Sequence, residues 1–502
     1  MKRRKIKKQE SKIRTPPEKD LVNLLKHYQA GRLSEAENMA LLITKKYPKH
    51  QFGWKVLGSV LKQTGRISDS LLATKKSVIL APKDEKAHYN LGNTYTQLSR
   101  LEEAEQSYRK AVSLKPDFVE GHYNLGNTLK ELGNIEEANV SYRQTISLKP
   151  DYAEAYNNLG ITTQLLGKLN EAVGIFKQAT LLKPDFASAY QNLGIVLKEL
   201  GRFKDAEVSF KQAISLSPEN SEIKYYLGLF LYGQGRYEEA IEQFSFSDFK
   251  KSKSYLLRCL YLEDKKTHFF DQLDTLIIQG DIDPMIGSLG CRSLLRYGID
   301  RPNLFCKEPL KYVSKIDLKD QYDFREIFVN ATLDILNDGK TEYRSTGLLT
   351  NGSQTYGNIF DLQLNLTQEI QKIIRIEVEK YRFNFKDSEE GLITNWPENY
   401  DISGWLIRMQ NGGELQPHMH EGGWISGSVY INVPPKMKSD SGNLVVSIED
   451  ENFISNISEN AKNVIDVVTG SLVLFPASLL HYTIPFESEE ERIVLAFDVV
   501  PN

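Results

Sequence analysis

Two spacings of apolar residues divide the chain. Up to about residue 250 the apolar positions follow the i, i+3, i+4 rhythm of amphipathic helices, and the rhythm itself repeats. The pair Leu-Gly recurs at Leu57, Leu91, Leu125, Leu159, Leu193 and Leu227, each 34 residues after the last. Proline keeps the same step at Pro48, Pro82, Pro116, Pro150, Pro184 and Pro218, and small residues keep it at Ala36, Ser70, Ala104, Ala138, Ala172, Ala206 and Ala240. Each period holds two helical segments parted by a glycine, with Ser99 in one slot, which predicts helix-turn-helix units. Small residues let paired helices approach, and proline stops the second helix of each unit. From Ile402 onward the period becomes two. Strand-like GWLIRMQ, WISGSVYINV, NLVVSI, SLVLFP and RIVLAFDVV are separated by turn residues, which predicts short antiparallel strands closed around a pocket as a jelly roll.

Between these halves, SYLLRCLYLEDKKTHFFDQLDTLII and DPMIGSLGCRSLLRYG keep helical spacing without the 34-residue period, and read as helices capping the array. Turn residues gather in GIDRPNLFCKEPL, placing a linker near residues 299–320. Ile370, Ile373, Ile374, Val378 and Tyr381 predict one further amphipathic helix behind a cap at Thr367. The expected organisation is multidomain: a basic disordered tail (1–19), an all-α solenoid of about seven repeats (20–250), a helical bridge (251–318) and a jelly-roll domain with flanking helices (319–502).

Composition narrows the function. No apolar run approaches the ~18 residues of a membrane span. With 63 basic and 66 acidic residues the net charge is −3, so nucleic-acid binding is expected at most through the tail MKRRKIKKQESKIR. The three cysteines, Cys259, Cys291 and Cys306, form no CxxC pair, which excludes a zinc ribbon and a disulfide framework and predicts a reducing, cytoplasmic location.

The repeat resembles the tetratricopeptide repeat. Tyr156, Leu159-Gly160, Ala172, Phe176, Ala179 and Pro184 match its pattern of an aromatic, Leu-Gly, Ala, an aromatic, Ala and Pro. The resemblance implies a superhelix whose concave groove binds a protein or peptide. Asn90, Asn124, Asn158 and Asn192 each precede a Leu-Gly pair and therefore form a ladder on successive helices. A side-chain amide offers a donor and an acceptor, the set needed to pair with an extended peptide backbone. The ladder is similar to the groove asparagines of the O-linked N-acetylglucosamine transferase superhelix; the alternative is that the amides bond one repeat to the next. No glycine-rich nucleotide signature supports glycosyl transfer.

The jelly-roll region carries the chemistry. Of eight histidines, only His418, His420 and His481 follow residue 268. Strand alternation in QPHMHEGG places His418 and His420 on one face, and His481 arrives from a distant segment. Eleven residues later, Arg492 opens a strand, where its guanidinium can take a carboxylate by two parallel hydrogen bonds. The constellation resembles the iron(II)- and 2-oxoglutarate-dependent oxygenases, nearest to the prolyl-hydroxylase-like branch and to HxH-type members fused to tetratricopeptide repeats. The resemblance, over about residues 390–502, implies a dioxygenase using Fe(II), 2-oxoglutarate and dioxygen to hydroxylate a captured protein or peptide. His418, His420 and His481 would hold the metal and Arg492 the cosubstrate, with no further catalytic side chain. Tyr430 shares parity with Ser426 and Ser428, so its hydroxyl is a second cosubstrate contact or else a packed core tyrosine. His420 stands where the family usually has an acid. Glu421 is adjacent, but alternation points it away. A non-catalytic scaffold with a cupin-like metal module is the other reading, since zinc suits three imidazoles.

Overall fold

The computed structural model describes residues 15–249, 251–337, 341, 343–344, 347–355, 357–361, 365–449 and 461–502. Fourteen residues of the expected basic tail lie outside these. The chain divides into two compact units, Met1–Phe230 and Leu231–Asn502.

The first unit is a stack of antiparallel helix pairs, the period of 34 made solid. Val119–Glu131 pairs with Ile135–Leu148, Ala153–Leu165 with Leu169–Leu182, and Ala187–Glu199 with Phe203–Leu216. The glycine of each Leu-Gly pair exists for close approach: a Cβ on Gly160 would stand 2.6 Å from the Phe176 ring. Ser99, in the slot that other repeats fill with glycine, takes the same left-handed backbone at φ 55°.

Polar bonds join repeat to repeat. Trp54 donates its indole N–H to the Pro48 carbonyl at 3.0 Å, and the His88 and His122 rings meet the carbonyls of Pro82 and Pro116 at 3.0 and 2.9 Å. The asparagine ladder is committed in the same way. Asn124 Nδ2 donates to Tyr89 Oη and Asn93 Oδ1 at 3.1 and 3.0 Å, and Asn158 Nδ2 to Tyr123 Oη and Asn127 Oδ1 at 3.2 and 2.9 Å. Asn90 donates to Ser59 and Asn192 to Asn157. Bidentate pairing with a peptide would therefore require Asn124 and Asn158 to release bonds that already join neighbouring repeats, a constraint that helical phase does not reveal. Asn124→Ala and Asn158→Ala are each expected to lower stability by about 1 kcal/mol in urea unfolding followed by circular dichroism. No loss in either variant would show that these bonds contribute nothing to the stack.

The second unit is an antiparallel sheet curled into a jelly roll. Its strands are β1 (Ser314–Asp317), β2 (Tyr343–Arg344), β3 (Leu349–Thr355), β4 (Tyr400–His418), β5 (Ile425–Asn432), β6 (Leu444–Ser447), β7 (Lys462–Ile465), β8 (Ser471–Pro476), β9 (Leu480–Thr483) and β10 (Arg492–Pro501). They lie in the order β1-β8-β5-β10-β4-β9-β6-β7, with β3 added on β4 and β2 on β3. β1 falls inside the expected linker and pairs with β8, so the sheet begins at Ser314 rather than after residue 318. Its four residues are too few for periodicity to register.

Alternation gives the sheet two buried faces. One packs Leu406, Val429, Leu495 and Phe497 against Ile370, Ile374, Val378 and Tyr381 of the helix Asn365–Asn384. That helix begins at Asn365, so Thr367 lies in its first turn and not at its cap. The opposite face gathers Ile407, Met409, Tyr430, Phe475 and Val494 around the interior. Helices Ser252–Leu262, Lys266–Gln279 and Pro284–Tyr297, expected to cap the repeats, belong to this second unit. Their apolar core takes in Met419 and Leu480 from the jelly roll, burial that sequence spacing does not announce. Among the described residues no helix is long and apolar enough to cross a membrane.

Candidate metal centre

Three imidazoles meet where β4 and β9 pair. His418 and His481 are direct cross-strand partners, with ring centroids 4.2 Å apart. β4 ends at His418, so strand alternation does not by itself deliver His420, which opens a turn closed by the Gly423 N–H on its carbonyl. Asp498 from β10 does: its Oδ1 accepts from His420 Nδ1 at 2.7 Å and from the Ser426 hydroxyl at 2.8 Å. The His420 ring then lies 4.7 Å from His481 and 5.0 Å from His418.

The tautomers follow from the partners. Gln416 O, a carbonyl, can only accept, so the His418 nitrogen 2.9 Å from it, Nδ1, carries the hydrogen; the Asp498 carboxylate imposes the same on His420. In the neutral rings both Nε2 atoms therefore bear lone pairs, and they face each other at 3.1 Å. Two such lone pairs repel unless a cation or a proton lies between them. Two nitrogens ~2.1 Å from one ion and at right angles to each other are ~3.0 Å apart. His481 is buried, with Nδ1 unpartnered. The ligand atoms of the three residues all lie within 4.8 Å of one another, the one such group of His, Cys, Asp and Glu among the described residues.

Burial first, and then neighbouring His420, push the His418 pKa down to about 4. Burial and the other two rings push His481 well below its ordinary value. Both are thus neutral, as ligation requires, at neutral and mildly acidic pH. The linkage has a definite sign. Unfolding restores an ordinary imidazole that binds a proton below about 6.5, so the unfolded chain takes up protons that folded His418 refuses. Stability of the metal-free second unit is expected to fall as pH drops from about 6.5 to 4, read by thermal melting, and the slope to lessen in His418→Phe; a flat wild-type profile, or a slope unchanged in His418→Phe, would show that this ring is not responsible.

The interior next to this cluster is a cavity of about 290 Å³ whose wall includes Trp405, Met409, Tyr430, Phe475 and Val494. At its edge Arg492 is 1% exposed, and none of its three guanidinium nitrogens has a hydrogen-bond partner. The guanidinium lies 5.1 Å from the Tyr430 ring centre; Tyr430 is in the cavity wall and Arg492 is not. Burial lowers the Arg492 pKa and raises that of Tyr430 to about 12, so the tyrosine stays a phenol. Gly442, at φ +71°, makes room: a Cβ there would stand 2.8 Å from Arg492 Nη1. Glu491, adjacent in the chain, pairs with Arg408 at 2.7 Å. Glu421 accepts from the Tyr255 hydroxyl and, at 2.7 Å, from Arg258 Nη1.

Asp498 is not among the residues that the sequence motifs point to, although Arg492, Val494, Ala496 and Asp498 share one face of β10. An outer carboxylate that fixes a ligating histidine is worth ~10–100-fold in metal affinity. Asp498→Ala is expected to lose that much in competition with a fluorescent chelator; wild-type affinity would make the contact incidental.

Family models match both the repeats and the jelly-roll region. The family described as Putative 2OG-Fe(II) oxygenase matches residues 403–498. The TPR repeat family matches 92–133 and 126–167, and tetratricopeptide repeat families match 153–186 and 191–245. No curated protein matches the chain. Solved structures similar to it include YrrB, described as a TPR protein with an unusual peptide-binding site, at 20% identity over 39% of this chain and 97% of that one, TM-score 0.35. A tetratricopeptide repeat protein from Parabacteroides merdae is 18% identical over 48% of this chain and 98% of that one, TM-score 0.39. MamA is 26% identical over 32% and 95%, TM-score 0.32. The chain carries tetratricopeptide repeats followed by a domain of the 2OG-Fe(II) oxygenase type.

Proposed function

We propose that the chain is an iron(II)- and 2-oxoglutarate-dependent dioxygenase that hydroxylates a protein or peptide captured by its repeats. One observation carries the reading: two half-buried imidazoles face each other with their lone pairs 3.1 Å apart beside buried His481, and near the same cavity stands a buried guanidinium with no hydrogen-bond partner. A cation answers the first and a dicarboxylate the second.

In this reading His418, His420 and His481 hold iron, and Arg492 takes the far carboxylate of 2-oxoglutarate with the Tyr430 hydroxyl as a second donor. Iron and 2-oxoglutarate bound there would supply oxidative decarboxylation to succinate coupled to hydroxylation of the substrate. The chain's own part is placement. Asp498 fixes the tautomer and aim of His420. Trp405 and Phe475, ring centres 5.2 and 5.0 Å from His420 and His481, flank the cluster with apolar surface. In the repeats, the Oδ1 atoms of Asn90, Asn124, Asn158 and Asn192 are the acceptors offered to peptide N–H groups, their Nδ2 groups being engaged between repeats. A metal-binding scaffold explains the imidazoles but gives the guanidinium no task.

The test is succinate formation from 2-oxoglutarate by anaerobically purified protein given iron(II), then oxygen, with and without candidate peptides. Succinate that depends on iron and rises with a peptide supports the reading. If no succinate forms under any peptide while zinc binds at the three histidines, the scaffold reading replaces it.

A further inference from the structure

Both segments that carry the histidines are fastened to the helices preceding the jelly roll. Met419, between His418 and His420, and Leu480, beside His481, are each no more than 9% exposed and share one apolar cluster with Leu257, Leu260, Phe269 and Ile286. Side chains adjacent to the histidines thus pack on the helices, while the histidines line the cavity that Met419 also borders. Glu421, next to His420, adds a polar anchor. Its carboxylate accepts from the Tyr255 hydroxyl and from Arg258, and its backbone carbonyl accepts from Lys251, all on or at the start of the helix Ser252–Leu262. Lys251 is in turn 3.2 Å from Asp283, the N-cap of the helix Pro284–Tyr297.

These anchors matter because of where the strands stop. β4 ends at His418 and β9 is four residues long, so the sheet ladder does not hold the turn that bears His420. That turn has a partner on each side: Asp498 on the ring of His420, and the helix on the next residue. We infer that Glu421 is a positioning residue whose clamp on Tyr255 and Arg258 sets the turn bearing His420, so that the helical bridge is part of the metal centre's scaffold. The inference rests on the proposed metal site. It gives the acid beside the HxH motif a task other than ligation: the acid acts through the backbone it anchors.

Loss of a group hydrogen-bonded to a ligand costs ~10–100-fold in metal affinity, and an anchor one residue further out is expected near the lower end of that range. The test uses the full chain and cobalt(II), titrated anaerobically, with the visible absorption of the bound ion as the second readout. Arg258→Ala and Glu421→Gln are each expected to weaken cobalt binding about tenfold or more and to change the band pattern, and Arg258→Lys to recover part of the affinity. Arg258 touches no proposed ligand, so a change of spectrum on its replacement reports movement of the turn. If both variants bind with wild-type affinity and spectrum, the clamp has no effect on the centre and the inference is overturned. Should Glu421→Gln lose cobalt as completely as His481→Ala while Arg258→Ala does not, Glu421 is itself a ligand, and the inference again fails. The metal-site reading falls separately: cobalt binding by His418→Ala and His481→Ala at wild-type affinity would sink it whatever Arg258 does.

Discussion

Single replacement of His418, His420 or His481 by alanine is expected to lower affinity for iron(II) by more than ~100-fold and to end succinate formation. An outer residue that only orients a ligand costs ~10–100-fold, so loss of the ligand itself must exceed that range. The fold is expected to survive, because the helical repeats form a compact unit of their own and the jelly-roll core lies in Leu406, Val429, Leu495, Phe497 and their neighbours. Metal-free melting temperatures should not fall in parallel with affinity. His420→Ala removes one of two lone pairs that face each other at 3.1 Å, which relieves repulsion in the empty site while destroying the filled one. Anaerobic titration with iron(II) beside thermal melts of the metal-free variants checks this. Retained iron binding in His420→Ala together with its loss in Glu421→Gln would transfer the third position to the acid.

What was legible in the sequence is what repeats or alternates. The 34-residue step places Leu159-Gly160 against Phe176, because a rigid period fixes which residues share a face. Alternation in RIVLAFDVV likewise sorts Leu495 and Phe497 to one core and Val494 and Ala496 to the other. Contacts between distant segments leave no such trace. Asp498 meets His420 across 78 residues, and Glu421 meets Arg258 across 163. Neither separation is encoded by any local period, so the carboxylate behind the imidazole cluster and the clamp beside it emerge only from the fold. The asparagine ladder shows the reverse hazard. Its phase is correct, yet phase does not say that Tyr89, Asn93, Tyr123 and Asn127 stand within reach of the same amides.

Arg492→Met is expected to stabilise the protein free of 2-oxoglutarate while removing its response to 2-oxoglutarate. A guanidinium that is 1% exposed, with no nitrogen in a well-formed hydrogen bond, has lost its hydration and gained in exchange only the neighbouring Tyr430. Replacing even a paired set of buried charges by apolar side chains of similar volume is often neutral or stabilising by about 1–4 kcal/mol, and methionine follows the path of the arginine stem beside Tyr430 and Gly442. For a unit of this size each kcal/mol is worth roughly 2–4 °C in melting temperature. Addition of 2-oxoglutarate with a redox-inert divalent ion should raise the wild-type melting temperature, by the equivalent of about 2.7 kcal/mol at 100 times the dissociation constant, and leave the variant unmoved. The two proteins should therefore exchange rank: Arg492→Met melts higher without ligand, and the wild type gains on it as ligand is added. A structural arginine predicts the opposite, a variant that melts lower under both conditions. That result would mean that the guanidinium finds its partners within the chain, and the cosubstrate carboxylate would have to be sought elsewhere in the cavity.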